Sequence, residues 1–427
     1  MAPDDDKQRY QLTVPLDAAL ARRLRALAAE RDEPLEMLVR AHLEAWLGDW
    51  GQRVATHAVR PGETLWSIAR RYYGDGRRAN VLAAYNAVED PTLLGEGDVV
   101  LVPEPDASDA VPPGESPYLH GLEDRGGEYL MERAGKPGWV LLGQDLAAEP
   151  PDAIGRSYED LAERGFGVIV RLEHGPGTLP PADRYEEFAR RSGAYARRSE
   201  GCHVWVIGDA PNRAASRPGG ARDGAPITPE DYARAYYLCR EEIRSQPGHA
   251  DDRVLTAAIA PWNTQTRYAG NPNGDWVQYF ADVLALLEGH LDGLALHAIT
   301  RDPDPARIAA DDREPPPHGG RRAGFRAFQD FLAAVPEALR GLPAYITSAG
   351  PDLPWAQAGR GWVQAAYAEV ARWNLTNQPI RCMILHRWQP RPPGAWHLEG
   401  QREAVADLEA AIRQGHRWDG WHRTTER

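Results

Sequence analysis

Along residues 118 to 414, short runs of consecutive apolar residues alternate with stretches whose apolar positions recur every three or four residues. The first pattern predicts strands buried on both faces, the second amphipathic helices. The strands fall at Tyr118–Leu122, Gly138–Leu142, Phe166–Leu172, Cys202–Ile207, Val254–Ala260, Leu291–Ile299, Pro343–Thr347 and Arg381–Leu385. The helices fall at Tyr158–Arg164, Ala182–Arg198, Pro229–Ser245, Asp275–Glu288, Phe325–Leu339, Trp362–Asn374 and Arg402–Gln414. Strand–helix repeats over about 300 residues predict a closed parallel barrel with its site at the C-terminal strand ends. An acidic, proline-rich insert at 302–322 follows the sixth strand and is expected to lie exposed over that mouth.

Two smaller patterns precede the barrel. Residues 9–14 alternate strictly, with Tyr10, Leu12 and Val14 on one side and Arg9, Gln11 and Thr13 on the other. A helix with Leu20, Leu24 and Leu27 on one face follows. A break at Asp32-Glu33-Pro34 then leads into a second helix carrying Leu35, Leu38, Val39, Leu43 and Trp46. So short a stretch cannot bury a sizeable core alone, and pairing with a second copy would supply one. The segment resembles the ribbon-helix-helix family. That resemblance implies a homodimer through residues 9–48 and a DNA-reading face of Arg9, Gln11 and Thr13. The acidic turn at Asp32-Glu33 disfavours DNA as the partner, because carboxylates repel phosphate.

Residues 57–103 read as strand, helix, helix, strand. Pro61-Gly62 makes a turn, and Thr64 can cap the helix from Leu65 to Tyr73, with Leu65, Ile68 and Ala69 facing inward. A second helix at 78–86 ends on Asn86, and Gly95 to Pro103 give a turn and a strand. The run from Arg60 to Ala69, then Asn86, then Leu94 to Asp98 resemble the LysM domain, a module that binds N-acetylglucosamine-containing glycans such as peptidoglycan or chitin. The resemblance implies a sugar groove lined by Gly62, Glu63, Thr64, Leu93 and Leu94. Leu65, Ile68 and Leu101 read as core whatever the ligand. The expected organisation is multidomain α/β. It comprises a ribbon-helix-helix-like segment at 1–50, a βααβ LysM-like domain at 54–104, a linker at 105–116 and a (β/α)8 TIM barrel at 117–427.

Composition narrows the partners. The formal charge of −13 argues against a general nucleic-acid or anionic-membrane surface. Arginine so outnumbers lysine, present only at Lys7 and Lys136, that a bacterial GC-rich genome is implied. Cys202, Cys239 and Cys382 lie far apart and read as buried thiols. The polar start, MAPDDDKQRY, carries no signal-peptide pattern, and no run of about 18 apolar residues exists, so the expected location is cytoplasmic.

The ends of the fourth and seventh strands carry the chemistry of interest. They read Gly208-Asp209-Ala210-Pro211-Asn212 and Ile346-Thr347-Ser348-Ala349-Gly350. The barrel resembles the retaining glycoside hydrolases, in which strand 4 typically closes Gly-Asn-Glu-Pro-Asn and strand 7 Ile-Thr-Glu. The resemblance implies that Ala210 stands at the acid/base position and Ser348 at that of the nucleophile, facing each other across the mouth. Retaining hydrolysis needs two carboxyl groups about 5 Å apart. Alanine supplies none, and Ser348 has no activating base beside it. No catalytic residue is therefore expected at either position.

Glu173, Asp209 and Glu123 are the fallback carboxylates. Asp209 is expected to point away from Ala210 by strand alternation, and Glu173 reads equally as an ion-pair partner of Arg171. Arg171, Trp262, His297 and Trp388 are candidate sugar contacts, the tryptophans by stacking and the others by hydrogen bonding. No cofactor motif appears. No metal set is evident, since His120, His174, His203 and His386 come from separate strands. The leading expectation is a non-catalytic glycan-binding protein with a degenerate glycosidase barrel. The alternatives are an assembly protein using these domains for protein contacts, and a glycoside hydrolase with a relocated acid/base.

Overall fold

The computed structural model describes residues 54–418, apart from 74–75, 77–78, 89, 92–93, 104–110, 113, 149–153, 176, 223, 359 and 391–395. The segment at 9–48 and Leu93 lie outside the described residues. The chain forms two units, Met1–His57 with Leu101–Glu104, and Ala58–Val100 with Pro105–Arg427. Strands β1 (Val54–Ala58) and β2 (Val99–Pro103) pair as a two-stranded sheet. Between them run α1 (Leu65–Tyr73) and α2 (Ala79–Tyr85), the expected strand-helix-helix-strand order. Thr64 caps α1 reciprocally: its hydroxyl accepts from the Ser67 N–H at 3.2 Å, and its own N–H donates to Ser67 Oγ at 2.9 Å.

The large unit contains the barrel. Strands β3 (His120–Glu123), β4 (Trp139–Asp145), β5 (Gly167–Glu173), β6 (Val204–Ile207), β7 (Arg253–Thr256), β8 (Gly293–Thr300), β9 (Ala344–Pro351) and β10 (Ile380–Leu385) close in sequence order, with β10 beside β3. Every pairing in the barrel is parallel. Helices α3 (Glu128–Arg133), α4 (Glu159–Glu163), α5 (Tyr185–Ala196), α6 (Pro229–Arg244), α7 (Trp276–Leu287), α8 (Ala327–Ala333), α9 (Trp362–Asn374) and α10 (Arg402–Gln414) intervene.

Alternation along each strand sorts the core into two. Trp139, Leu141, Ile169, Val204, Val206, Leu255, Ala295, Tyr345, Cys382 and Ile384 form one buried cluster. Their strand neighbours, among them Val140, Val168, Val170, Trp205, Leu294 and Met383, belong to a second with the helices. The first set is the barrel interior, and the second lies between sheet and helices. Continuing the interior series along the strands brings Arg171, Glu173, His297 and His386 to the inner face at the C-terminal end, where Glu123 of β3 meets Arg171 and His386.

Several boundaries differ from expectation, among them the fifth strand, which ends at Thr256 instead of Ala260. The seventh strand runs on to Pro351, so Ser348 lies within β9 instead of after it, opposite a register shift between Leu296 and His297. The helix expected over 325–339 is α8 followed by a short 3-10 turn at Glu337–Leu339. Pro336 explains the break, because it lacks an N–H and disfavours helical backbone at Val335. The end of the expected linker belongs to the barrel, with Glu115 and Ser116 buried.

Glu115 closes the barrel's N-terminal end. Its carboxylate accepts from Arg253 Nε at 2.7 Å, Arg381 Nη1 at 2.5 Å and the Tyr345 hydroxyl at 3.0 Å. Its carbonyl accepts from the Asn80 amide of α2. Removing one partner of a buried ion pair typically costs about 3–5 kcal/mol. Glu115→Ala is expected to lower unfolding free energy by about that amount in urea titrations. A loss below about 1 kcal/mol would show that Arg381 and Arg253 re-solvate without cost.

Candidate functional site

The mouth holds a continuous charged network. Arg171 Nη2 donates to Glu123 Oε1 at 3.0 Å and its Nε to Glu173 Oε2 at 3.1 Å. Glu123 also receives Arg387 Nη2 at 3.3 Å and is bonded to His386 Nδ1. Across the site, His297 Nε2 and Asp209 Oδ1 lie 3.1 Å apart. His297 is buried, and its Nδ1 has no partner among the described residues.

Burial pushes the Glu123 carboxyl up, but Arg171, His386 and Arg387 together outweigh it and hold the group far below the usual range. Asp209 is likewise pushed up by burial and held ionised by Arg171 and His297. Glu173 goes the other way. Burial raises it, the Asp209 and Glu123 charges add to the rise, and Arg171 only partly offsets them. Burial also works against the Arg171 charge, which Glu173, Glu123 and Asp209 hold in place. The mouth thus contains one carboxyl that resists ionisation and two that resist protonation.

The strand 4 terminus departs from the sequence reading. Asp209, expected to point away from the site, reaches His297 on β8. Ala210 is 0% exposed, so its methyl presents no surface to the mouth. The reason is the backbone. Gly208 has φ +77° and Ala210 φ +45°, so the chain is no longer extended and alternation fails. Asn212 is structural here: its side-chain amide exchanges two hydrogen bonds of 2.9 Å with the Ala260 backbone. Ser348 is half-buried and pairs in register with His297.

The aromatic candidates divide. Trp388 is only 4% exposed and packs on Gly126 and Gly127, leaving little face for a sugar. A Cβ at Gly127 would sit 2.7 Å from its indole, so the glycine is required by that contact. Trp262 is half-buried, with Arg301 over its ring at 4.2 Å and its Nε1 donating to Arg322 O of the 302–322 insert at 2.9 Å. Trp396, 43% exposed just beyond β10, was not singled out from the sequence. It follows a proline-rich stretch of sequence with no periodic signal. His386 was considered only as a metal ligand, although counting by twos from Cys382 and Ile384 places it on the inner face.

A cleft of about 530 Å³ lies at the rim, lined by His174, Gly175, Leu179, Arg184, Arg191 and Gly219 among others. It includes none of the network residues, so the network's chemistry identifies the candidate site better than the cleft's size. In the LysM-like part, Gly62 and Thr64 are exposed, while Glu63 and Leu94 are half-buried. Glu63 Oε2 accepts from the Arg60 N–H at 2.9 Å, which fixes the loop conformation.

These features define a small strand-helix-helix-strand module and a closed parallel barrel. Residues 57–103 match the LysM domain family, and the chain contains a LysM domain there. Two curated esterases, from two strains of Mycobacterium tuberculosis, are each 39% identical over 51 residues, which is 12% of this chain and 11% of theirs. The barrel has structural neighbours among glycoside hydrolases. One is an endo-β-1,3-glucanase from Amycolatopsis mediterranei, solved with laminaritriose. It is 14% identical and covers 69% of this chain and 99% of that one, with a TM-score of 0.40. Another is the β-glycosidase BGL167, 14% identical over 67% of this chain and 85% of that one, with a TM-score of 0.43.

The opposed shifts give opposite stability effects. Glu123 has a depressed folded pKa, so its contribution is present above its unfolded value near 4.5 and is lost as pH falls through the folded value. Glu173 has a raised folded pKa, so its ionisation opposes folding at neutral pH, and folding gains as pH falls through the raised value. At pH 7, Glu123→Gln is expected to destabilise by about 3 kcal/mol. Glu173→Gln is expected to be neutral or stabilising at the same pH. Urea unfolding across pH 3–8, on the order of one unit per step, checks both signs. Equal losses from the two variants would contradict the assignment.

Proposed function

We propose that this is a glycan-binding protein whose barrel does not carry out retaining glycosidic hydrolysis. The observation that carries the reading is the pair Ala210 and Ser348 at the ends of the fourth and seventh barrel strands, in a chain that also contains a LysM domain. Without a carboxyl group at either position, neither proton donation nor covalent attack has an agent there. Sugar binding does not need them. Apolar sugar faces stack on indole, and the Asp209, Glu173 and Arg171 groups offer oriented acceptors and donors for hydroxyls. Trp396 and Trp262 are the stacking residues of this reading, in place of Trp388.

A second reading has its own support. Glu173 is held toward its protonated form and Asp209 toward its ionised form, both beside Arg171. Carboxyl groups driven apart in this way can divide acid and base roles. That reading makes the barrel an enzyme with a relocated pair.

Calorimetry of the full chain against N-acetylglucosamine oligomers, muropeptides and β-glucan oligosaccharides, beside a hydrolysis assay on the same panel, separates the readings. Binding without turnover is expected. Trp396→Ala should weaken the barrel's share about tenfold, near 1.4 kcal/mol. Turnover abolished by Glu173→Gln would favour the second reading. An absence of binding across the panel would end both and leave protein contacts as the role of these domains.

A further inference from the structure

The end of the barrel opposite the mouth contains a second cluster of ionisable side chains. His203 directly precedes β6 and Asp252 directly precedes β7, and the Arg253 N–H donates to His203 O at 2.9 Å. A turn in which the Asp252 N–H donates to His249 O at 3.1 Å brings His249 beside them. His203 Nδ1 lies 2.5 Å from Asp252 Oδ1, and His249 Nδ1 lies 2.6 Å from Asp252 Oδ2. The two imidazoles stack with centroids 5.5 Å apart and planes at 24°. One ring nitrogen from each histidine and one carboxylate oxygen all fall within 4.8 Å of one another. His249 and Asp252 are buried, and His203 is half-buried.

We propose that His203, His249 and Asp252 form a binding site for a divalent transition-metal ion, Zn²⁺ by preference, that fastens the start of β6 to the turn before β7. Two imidazole nitrogens and one carboxylate oxygen are a donor set that Zn²⁺ takes, with water at the fourth tetrahedral position. Bonds of about 2.0–2.1 Å place tetrahedral donors about 3.3 Å apart, so the 2.5 Å separation of His203 Nδ1 from Asp252 Oδ1 opens by less than an ångström. Each neutral imidazole that turns Nδ1 to the ion carries its proton on Nε2. A proton on an imidazolium is released to solvent. Trp205 Nε1 donates to Asp252 Oδ2 at 2.7 Å, which is the outer-shell bond that orients a ligating carboxylate. The trio lies away from the mouth and uses no residue of the Glu123–Arg171 network, so its role is to hold structure.

The test is a Co²⁺ titration of the chelator-stripped full chain. One equivalent of Co²⁺ is expected to give tetrahedral d–d absorption, which Zn²⁺ then abolishes. His386→Ala, at the mouth, should leave this signal intact, and His249→Ala should remove it. His203→Cys supplies a signal gained instead of lost, a thiolate-to-Co²⁺ charge-transfer band. Absence of d–d absorption in the native chain would overturn the site and leave a purely hydrogen-bonded cluster. So would its persistence in folded His249→Ala, or a folded His203→Cys without the charge-transfer band.

Discussion

Closure of β10 onto β3 is the constraint on which the barrel depends. Seven parallel pairings follow the chain in order, but this one joins elements some 260 residues apart, where loop closure carries its largest entropy. The pairing itself is short, from His120 to Leu122 against Met383 to Leu385. Two buried carboxylates reinforce its ends. At the N-terminal end Glu115 ties Arg381 of β10 to Tyr345 of β9 and Arg253 of β7. At the C-terminal end Glu123 of β3 ties His386 and Arg387 beyond β10 to Arg171 of β5, while its carbonyl accepts from the Trp388 N–H at 2.8 Å. Neither anion could stay buried without these cations, and the cations stay in place because the anions are buried.

That reinforcement has a chemical consequence at the mouth. Arg171, which pairs with Glu123, is also a counter-charge of Glu173 and Asp209. Glu123 also has His386 and Arg387, and Asp209 has His297, so the least compensated carboxylate, Glu173, shifts toward its protonated form. Three non-glycine residues at strand ends around this rim, Asp124, Ala210 and Trp262, have φ of 74°, 45° and 58°. Such backbone costs about 1–3 kcal/mol per residue and gathers where packing fixes a functional geometry. At Ala210 the same kink that hides the methyl turns Asp209 toward His297. That corner therefore presents a carboxylate one residue earlier, at Asp209.

Much of this was legible in the chain. Continuous apolar runs such as GVIV and LALHAI can only be strands covered on both faces, and their order with helices dictates a parallel barrel. The LysM pattern was read from its turn, cap and glycines, each fixed by local backbone needs. The mouth's polar set followed from strand ends, so Glu123, Arg171, Glu173 and His297 were all named. What failed was direction and exposure. Alternation says nothing once φ turns positive, which misplaced Asp209. Burial of Trp388 depends on Gly126 and Gly127 at the end of a different strand, and the exposure of Trp396 depends on what fails to pack over it. Neither contact has a signature within its own stretch of sequence.

The same limit explains the floor cluster. His249 and Asp252 stand three apart in a turn, but His203 is separated from them by all of α6 and its flanking loops. Only the register of β6 on β7, with Val204 opposite Arg253, brings the residue before one strand beside the residue before the next. A closed parallel barrel makes such meetings systematic, because it aligns all strand starts at one end and all strand ends at the other. Residues unrelated in sequence gather there in rings. The two ends are also chemically free of each other, since the buried interior cluster from Trp139 to Ile384 lies between them. Changes at Glu173 or Asp209 of the mouth therefore leave the floor groups in place.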